Sequence, residues 1–232
     1  MEKPQCSQCD TVHKGIFCDL EAETYRQIDN AKIYLQFKKG DVLFNQGESV
    51  SGIYCIKSGK AKATIADSAG NETIAKILGP GSVLGHRSMF SDTDHIATVE
   101  FLEDASICFF DKVSFKSLIQ KIPSLALRLG QRLANEVIEA DCKNLALVHH
   151  SVKARVSSLL LDLSSQYGIK TQDGIELDIK LTREEMASLV GTTPETMIRT
   201  LSQLKIENII AQQGKKLIII NMSSLNELAE HY

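Results

Sequence analysis

Two sets of residues in this chain have the types and spacing to do chemistry. The first is sulfur. Cys6, Cys9 and Cys18 crowd into the first eighteen residues as Cys-x2-Cys-x8-Cys, and Cys108 stands far along the chain in the run Ile107-Cys108-Phe109-Phe110. Soft thiolates in a group of four suit an iron–sulfur cluster such as [4Fe–4S]. With His13 added, Cys6-x2-Cys9-x3-His13-x4-Cys18 falls one residue short of zinc-knuckle spacing. A third reading makes them free thiols on a tail, with Cys108 a small buried hydrophobe. Spacing alone leaves the three open. Cys55 and Cys142 have no partner in the pattern and read as packed or surface thiols.

The second set is Glu195 and Arg199, four residues apart and so on one face of a helix. A carboxylate can accept from a cytosine amino group, and a guanidinium can grip the O6 and N7 of guanine. Thr193 and Thr196 flank them. The alternative is a surface ion pair, worth under about 1 kcal/mol, and spacing alone favours it. The surrounding elements reverse that preference. Thr182-Arg183-Glu184-Glu185 is a capping box that starts a short helix to about Val190. Gly191-Thr192 makes a turn. Thr193 is then the N-cap and Pro194 the first helical residue of a second helix to about Glu207. Ile209 to Gln212, a Gly214-Lys215 turn and Lys216 to Ile220 follow as a hairpin. Two helices across a short Gly-containing turn, then a hairpin, predict a winged helix-turn-helix, whose second helix meets base edges with its N-terminal turn.

Upstream, between about Ala31 and Asp111, short apolar stretches are broken by glycines at 40, 47, 52, 59, 70, 79, 81 and 85, the pattern of an antiparallel β-sandwich or β-roll. After Pro123 the period becomes helical. Leu133, Val137, Ala140, Asn144 and Leu147 form a heptad seam with one polar position, a device that fixes register in dimers. The other reading is a core helix packed on its own domain. The fold expected is α+β: a Cys-rich segment over 1–20, a β-roll over 21–122, a long helix over 123–150 and a winged helix-turn-helix over 151–232.

Composition narrows the classes. At 232 residues, 43% hydrophobic and 24% charged, the chain can fill one large or two modest cores and is not a disordered or collagen-like sequence. No apolar run reaches the roughly 20 residues of a membrane span. The start, Met1 to Cys6, lacks the apolar stretch of a signal peptide, so a cytoplasmic protein is expected. Net charge is −3, and residues 151–232 carry nine Lys and Arg against ten Asp and Glu. Bulk charge therefore gives DNA binding no support, and the case rests on local geometry. Lys153, Arg155, Lys205, Lys215 and Lys216 are the cations available for phosphates. His149 and His150 read as a solvated helix end at the junction.

Gly191-Thr192-Thr193-Pro194-Glu195-Thr196-Met197-Ile198-Arg199 resembles the recognition helix of the Crp/Fnr transcription regulators. Phe37 to Phe44, Gln46-Gly47-Glu48 and Ile53 to Gly59 resemble the start of that family's cyclic-nucleotide-type β-roll, and the long helix resembles its dimer helix. The resemblance covers nearly the whole chain. It implies a homodimer on double-stranded DNA, base reading by Glu195 and Arg199, and a contact with RNA polymerase. Pro194 stands where some members place another base- or phosphate-contacting side chain, which leaves the target sequence open. In nucleotide-binding members a Gly-Glu turn takes the ribose and an Arg-Ser/Thr-Ala segment the phosphate. Here the turn is Gly85-His86-Arg87-Ser88, and His95 takes the arginine's place, so cyclic AMP is not the expected ligand. Arg87 is the one cation there that could restore anion affinity. The oxygen-sensing Fnr branch is similar in pairing an N-terminal Cys cluster with a β-roll cysteine, which implies Cys6, Cys9, Cys18 and Cys108 as ligands of a [4Fe–4S] cluster responsive to oxygen or nitric oxide. The gap between Cys9 and Cys18 is longer than that branch's usual pattern.

Two other function classes compete. For an enzyme, the sequence has no Walker loop, Gly-x-Ser-x-Gly, His-Glu-x-x-His or Rossmann fingerprint. A regulator with no metal cofactor would take an unidentified small ligand in the β-roll, while a non-DNA-binding regulatory subunit would use the β-roll for a partner and has no need of a base-reading helix.

Overall fold

The computed structural model describes residues 5–9, 15–17 and 20–229. Cys18 and His13, on which the cluster and zinc readings partly rest, lie outside the described residues. The chain divides into two compact units, residues 1–136 and 137–232.

In the first unit, β1 (Ile33–Phe37), β2 (Val42–Phe44), β3 (Gly52–Ser58), β4 (Ala61–Ala66), β5 (Glu72–Leu78), β6 (Val83–Leu84), β7 (Thr98–Phe101) and β8 (Ala105–Asp111) form two four-stranded antiparallel sheets. Their orders are β1-β8-β3-β6 and β2-β7-β4-β5. This is the expected roll. The period of two along a strand divides the side chains between two cores. Tyr54, Ile56 and Ile107 join Phe44, Val99 and Phe101 in one cluster. Ile53 and Phe110, one position out of step, face a second cluster with Phe115, Leu118, Leu125 and Leu129.

That second cluster is covered by segments flanking the roll. A 3₁₀ turn at Cys6–Gln8 and α1 (Ala22–Ala31) precede it; α3 (Lys112–Lys121) and the first turns of α4 (Pro123–His149) follow. Asp111 caps α3, accepting from the amides of Val113 and Ser114. Between β6 and β7, α2 (His86–Ser91) starts at Gly85, whose φ is +78°. A Cβ there would lie 2.5 Å from the Gly52 carbonyl oxygen, so no other residue fits the bend.

In the second unit, α5 (Val152–Tyr167) is followed by a hairpin, β9 (Gly168–Thr171) and β10 (Gly174–Leu177). Then come α6 (Arg183–Val190), α7 (Pro194–Ile206), β11 (Ile210–Gln213), β12 (Lys216–Ile219) and α8 (Met222–Leu228). The hairpin β9-β10 was not anticipated; its one local sign is the Asp173-Gly174 turn pair. It extends the wing into a four-stranded sheet of order β11-β12-β10-β9.

Candidate functional site: a base-reading helix and a thiol-lined cavity

The helix pair is built as its capping residues dictate. The Thr182 hydroxyl accepts from the Glu185 amide at 3.1 Å, and the Glu185 carboxylate accepts from the Thr182 amide at 2.9 Å. Helix α6 ends at Gly191, in the left-handed conformation at φ +65°. Thr193 caps α7 through the Thr196 amide, with Pro194 in the first turn where its missing N–H costs nothing. Met197, Leu201 and Leu204 point inward and are almost wholly buried. The opposite face therefore presents Glu195, Ile198, Arg199 and Gln203, all exposed, with Ser202 half-buried among them. Thr193 is exposed too. Thr196 is half-buried, and its hydroxyl accepts from that of Thr193 at 3.2 Å, inside the cap.

Ile198 is the residue on this face that the sequence reading passed over. It is 51% exposed and stands around the helix on the far side of Glu195 from Arg199. An aliphatic side chain left in water at that position suits a thymine methyl group. Its signal was legible as the i+3 neighbour of Glu195, but an isoleucine in a helix is ordinarily assigned to the core.

The cations divide into two kinds. Lys205 and Lys215 are exposed. The other three are engaged within the unit. Both Glu207 carboxylate oxygens accept from Lys153 at 2.7 Å, and Lys216 pairs with Glu176 at 2.7 Å. Arg155 donates to the carbonyls of Val190 at 2.8 Å, His150 at 2.7 Å and Gly191 at 3.2 Å. It ties α5 to the helix-turn-helix bend, a fixing role that the sequence did not reveal.

In the first unit, the first turn of α2, after Gly85, brings its side chains against neighbouring groups of the protein. His86 is 3% exposed, and its Nε2 lies 3.1 Å from Oε2 of Glu136 on α4. The Arg87 guanidinium lies 3.7 Å from the same oxygen, and that of Arg132 is 3.2 Å from Oε1. Burial acts to raise the Glu136 carboxyl, but the His86 hydrogen bond and the nearby charges outweigh it and hold the group below its usual range. Ser88 is buried. His95 stacks flat on Phe44, with ring centroids 3.6 Å apart and planes 6° from parallel.

Burial holds His95 below the usual histidine pKa against the opposing pull of the Glu48 and Asp94 carboxylates. A depressed folded value means that the stabilisation is complete above the unfolded value, near about 6.5, and is lost as pH falls below it. The melting temperature of the wild-type protein should therefore fall between about pH 7.5 and pH 5 more steeply than that of His95→Phe, which keeps the stacking surface. Parallel melting profiles for the two proteins would refute this.

The cysteines converge more than their spacing suggested. Cys6, Cys9 and Cys108 line one cavity in the second cluster of the roll, together with Cys55. The cavity is otherwise mostly apolar, walled by Ile16, Phe17, Val83 and Phe110. Spacing gave Cys55 no partner, and β3 and β8 pair in a register that sets it directly opposite Cys108. The Cys6 amide donates to Asp29 at 2.9 Å, and the Lys32 ammonium, 3% exposed, donates to Cys6 Sγ at 3.0 Å and Asp29 at 2.6 Å. Burial pushes the Cys6 thiol up to about 12 despite that lysine, and raises Cys55 and Cys108 as well. Burial thus disfavours the thiolate, the nucleophilic form, at all three. Among the described residues no three His, Cys, Asp or Glu side chains are grouped tightly enough to clasp a single metal ion.

Two family models match in the order the fold displays. Residues 34–122 match the cyclic nucleotide-binding domain and residues 154–228 the Crp-like helix-turn-helix domain. The chain belongs to the Crp/Fnr family of transcription regulators. Relatives agree across their length. An anaerobic regulatory protein of Aggregatibacter actinomycetemcomitans is 26% identical over 225 residues, covering 97% of this chain and 87% of the relative. A CRP-like cAMP-activated global transcriptional regulator of Mycobacterium tuberculosis is 26% identical over 211 residues, covering 91% and 94%. The structure of FixK2 from Bradyrhizobium japonicum superposes with a TM-score of 0.77 over 87% of this chain and 98% of that one, at 21% identity, and so shares the fold. This Crp/Fnr chain is a DNA-binding regulator and not an enzyme. Among its described residues no helix is long and apolar enough to cross a membrane.

Proposed function

We propose that this Crp/Fnr regulator works as a cytoplasmic homodimer that reads a near-palindromic duplex site and adjusts its affinity through an iron–sulfur cluster held by N-terminal and β-roll cysteines. The observation that carries the DNA reading is the exposed pairing of Glu195 and Arg199 on a helix whose opposite face is locked into the core. Thr193 and Thr196 flank them, and Lys205 and Lys215 are exposed cations for phosphates. Dimerisation rests on α4. Val137, Ile138, Leu145, Leu147 and Val148 are 44–75% exposed there. With Leu133, Ala140 and Asn144 of the predicted seam they form an apolar arc around about half the helix, wider than that seam. Twin recognition helices then enter successive major grooves. RNA polymerase is the further partner that the family implies. The segment 1–20, the roll over 21–122, the helix over 123–150 and the reader over 151–232 are its working parts.

For the signal, the donor chemistry fits a cluster. Cys6, Cys9 and Cys108 present soft sulfur to one largely apolar cavity, with the Lys32 ammonium beside Cys6 to offset negative charge. When bound, a [4Fe–4S] cluster supplies chemistry sensitive to oxygen or nitric oxide. Ile16 and Phe17 share the core that buries Leu125 and Leu129 of α4, and Arg128 of α4 reaches the Ile16 carbonyl oxygen at 3.5 Å. A change in the cysteine segment is thereby felt at the root of the long helix, where it shifts the population of DNA-competent dimers. Cyclic AMP is not the ligand on this reading, because His86 and Arg87 face Glu136 and His95 faces Phe44.

Protein purified without oxygen, assayed for iron, acid-labile sulfide and visible absorbance, and footprinted before and after exposure to air tests both halves. Coloured protein with anaerobic, site-specific protection that air abolishes is expected. Colourless, metal-free protein ends the cluster reading, and loss of all sequence preference ends the DNA reading.

A further inference from the structure

We infer that Cys55 is a ligand of the cluster site, beside Cys6, Cys9 and Cys108. The inference rests on the cluster reading and adds to it a ligand that spacing did not suggest.

Register is the first argument. Residues directly opposite each other on neighbouring antiparallel strands point to the same face, with Cβ atoms about 4.5–5.5 Å apart. Cys55 and Cys108 are such a pair. The rest of their face, Ile53 and Phe110, is buried in the cluster that also takes in Cys6, Ile16 and Phe17. If Cys108 can reach a group in this cavity, so can Cys55.

Convergence is the second. Of the five described cysteines, four border one cavity. They come as two pairs, one from the 3₁₀ turn region and one across two neighbouring strands. A single ion needs its ligands crowded around one point, and the described side chains are not so arranged. A cluster of several irons takes each thiolate on a different iron, which suits sulfurs spread around the walls of a cavity. Each thiol releases its proton to solvent as its sulfur–iron bond forms.

Charge is the third. Four thiolates bring more negative charge than the cluster core neutralises. Lys32 stands at Cys6, and Lys57 lines the cavity beside Cys55 and Cys108.

The test is anaerobic reconstitution of the full chain with ferrous iron and sulfide, comparing wild type, Cys55→Ser, Cys55→Ala and Cys142→Ser. Iron and sulfide per chain and the visible absorbance are read, and circular dichroism and thermal melting establish that each variant is folded. Cys55→Ala keeps a small apolar group in the pocket should the serine disturb packing. Wild type and Cys142→Ser should load equally, while both Cys55 variants lose the colour and most of the iron. Full loading of a Cys55 variant overturns the assignment and leaves the cluster reading standing. Failure of the wild type to load removes both.

Discussion

Replacing Arg199 by Ala should abolish site-specific protection of duplex DNA while leaving the protein folded and dimeric. Arg199 is exposed on α7, so its removal opens no cavity and should change stability by no more than about 0.5 kcal/mol. Its loss at the DNA is larger. One bidentate arginine–guanine contact is worth about 1–3 kcal/mol of discrimination. A twofold dimer makes it twice, which gives about 2–6 kcal/mol, or roughly 30-fold to more than 10,000-fold in specific affinity. Arg199→Lys separates geometry from charge, because an ammonium cannot reproduce the planar fork. It should keep the salt dependence of non-specific binding and lose the site preference. Lys205→Ala should weaken specific and non-specific binding alike and reduce the salt slope by about 1 if that lysine meets a phosphate. Titrations of a specific and a scrambled duplex at several salt concentrations distinguish these outcomes. Unchanged protection by the alanine variant would mean that another side chain reads the site.

The second large effect is expected at the long helix. Val137→Asp places a carboxylate on the apolar arc of α4 at a position 56% exposed in the protomer. In a twofold dimer the substitution appears twice across one seam. Each copy forfeits about 1.5–3 kcal/mol of apolar burial and brings a charge to a dehydrated surface facing its own duplicate. The dissociation constant should rise by roughly a thousandfold or more, measured by sedimentation equilibrium. Because the protomer already exposes Val137 to water, the helix content and the core of each unit should persist. The monomer should then retain weak, salt-sensitive DNA binding without the cooperative recognition of two half-sites. A variant that sediments as an unchanged dimer would place the interface elsewhere, and a wild-type monomer would remove the basis for twin recognition helices.

The comparison of sequence with structure differs between the two sites. At the DNA-reading helix nearly everything was local. Thr182 with Glu185, Gly191, and Thr193 with Pro194 act within a few residues of themselves, so their types and order fix where each helix starts and stops. Glu195 and Arg199 follow onto one exposed face by helical period alone. Ile198 was missed because the same period that exposes it does not distinguish an aliphatic reader from a core residue until the packed face is known. The pairings of the cations were hidden for a related reason: Lys153, Arg155 and Lys216 look uncommitted in the sequence, and their partners Glu207, Val190 and Glu176 lie far along the chain.

What the sequence determined by itself is therefore the succession of roll, long helix and capped helix pair with its wing, and the chemistry on the face of one helix, because caps, turns and periods are short-range physics. What only the tertiary structure decided is which distant groups meet. Cys55 and Cys108 are 53 positions apart, and His86 and Glu136 are 50. Strand register brings the first pair together and the packing of α4 against the roll the second. A register shift of one residue would have sent Cys55 to the opposite face of its sheet, and no local feature of either strand announces which register wins.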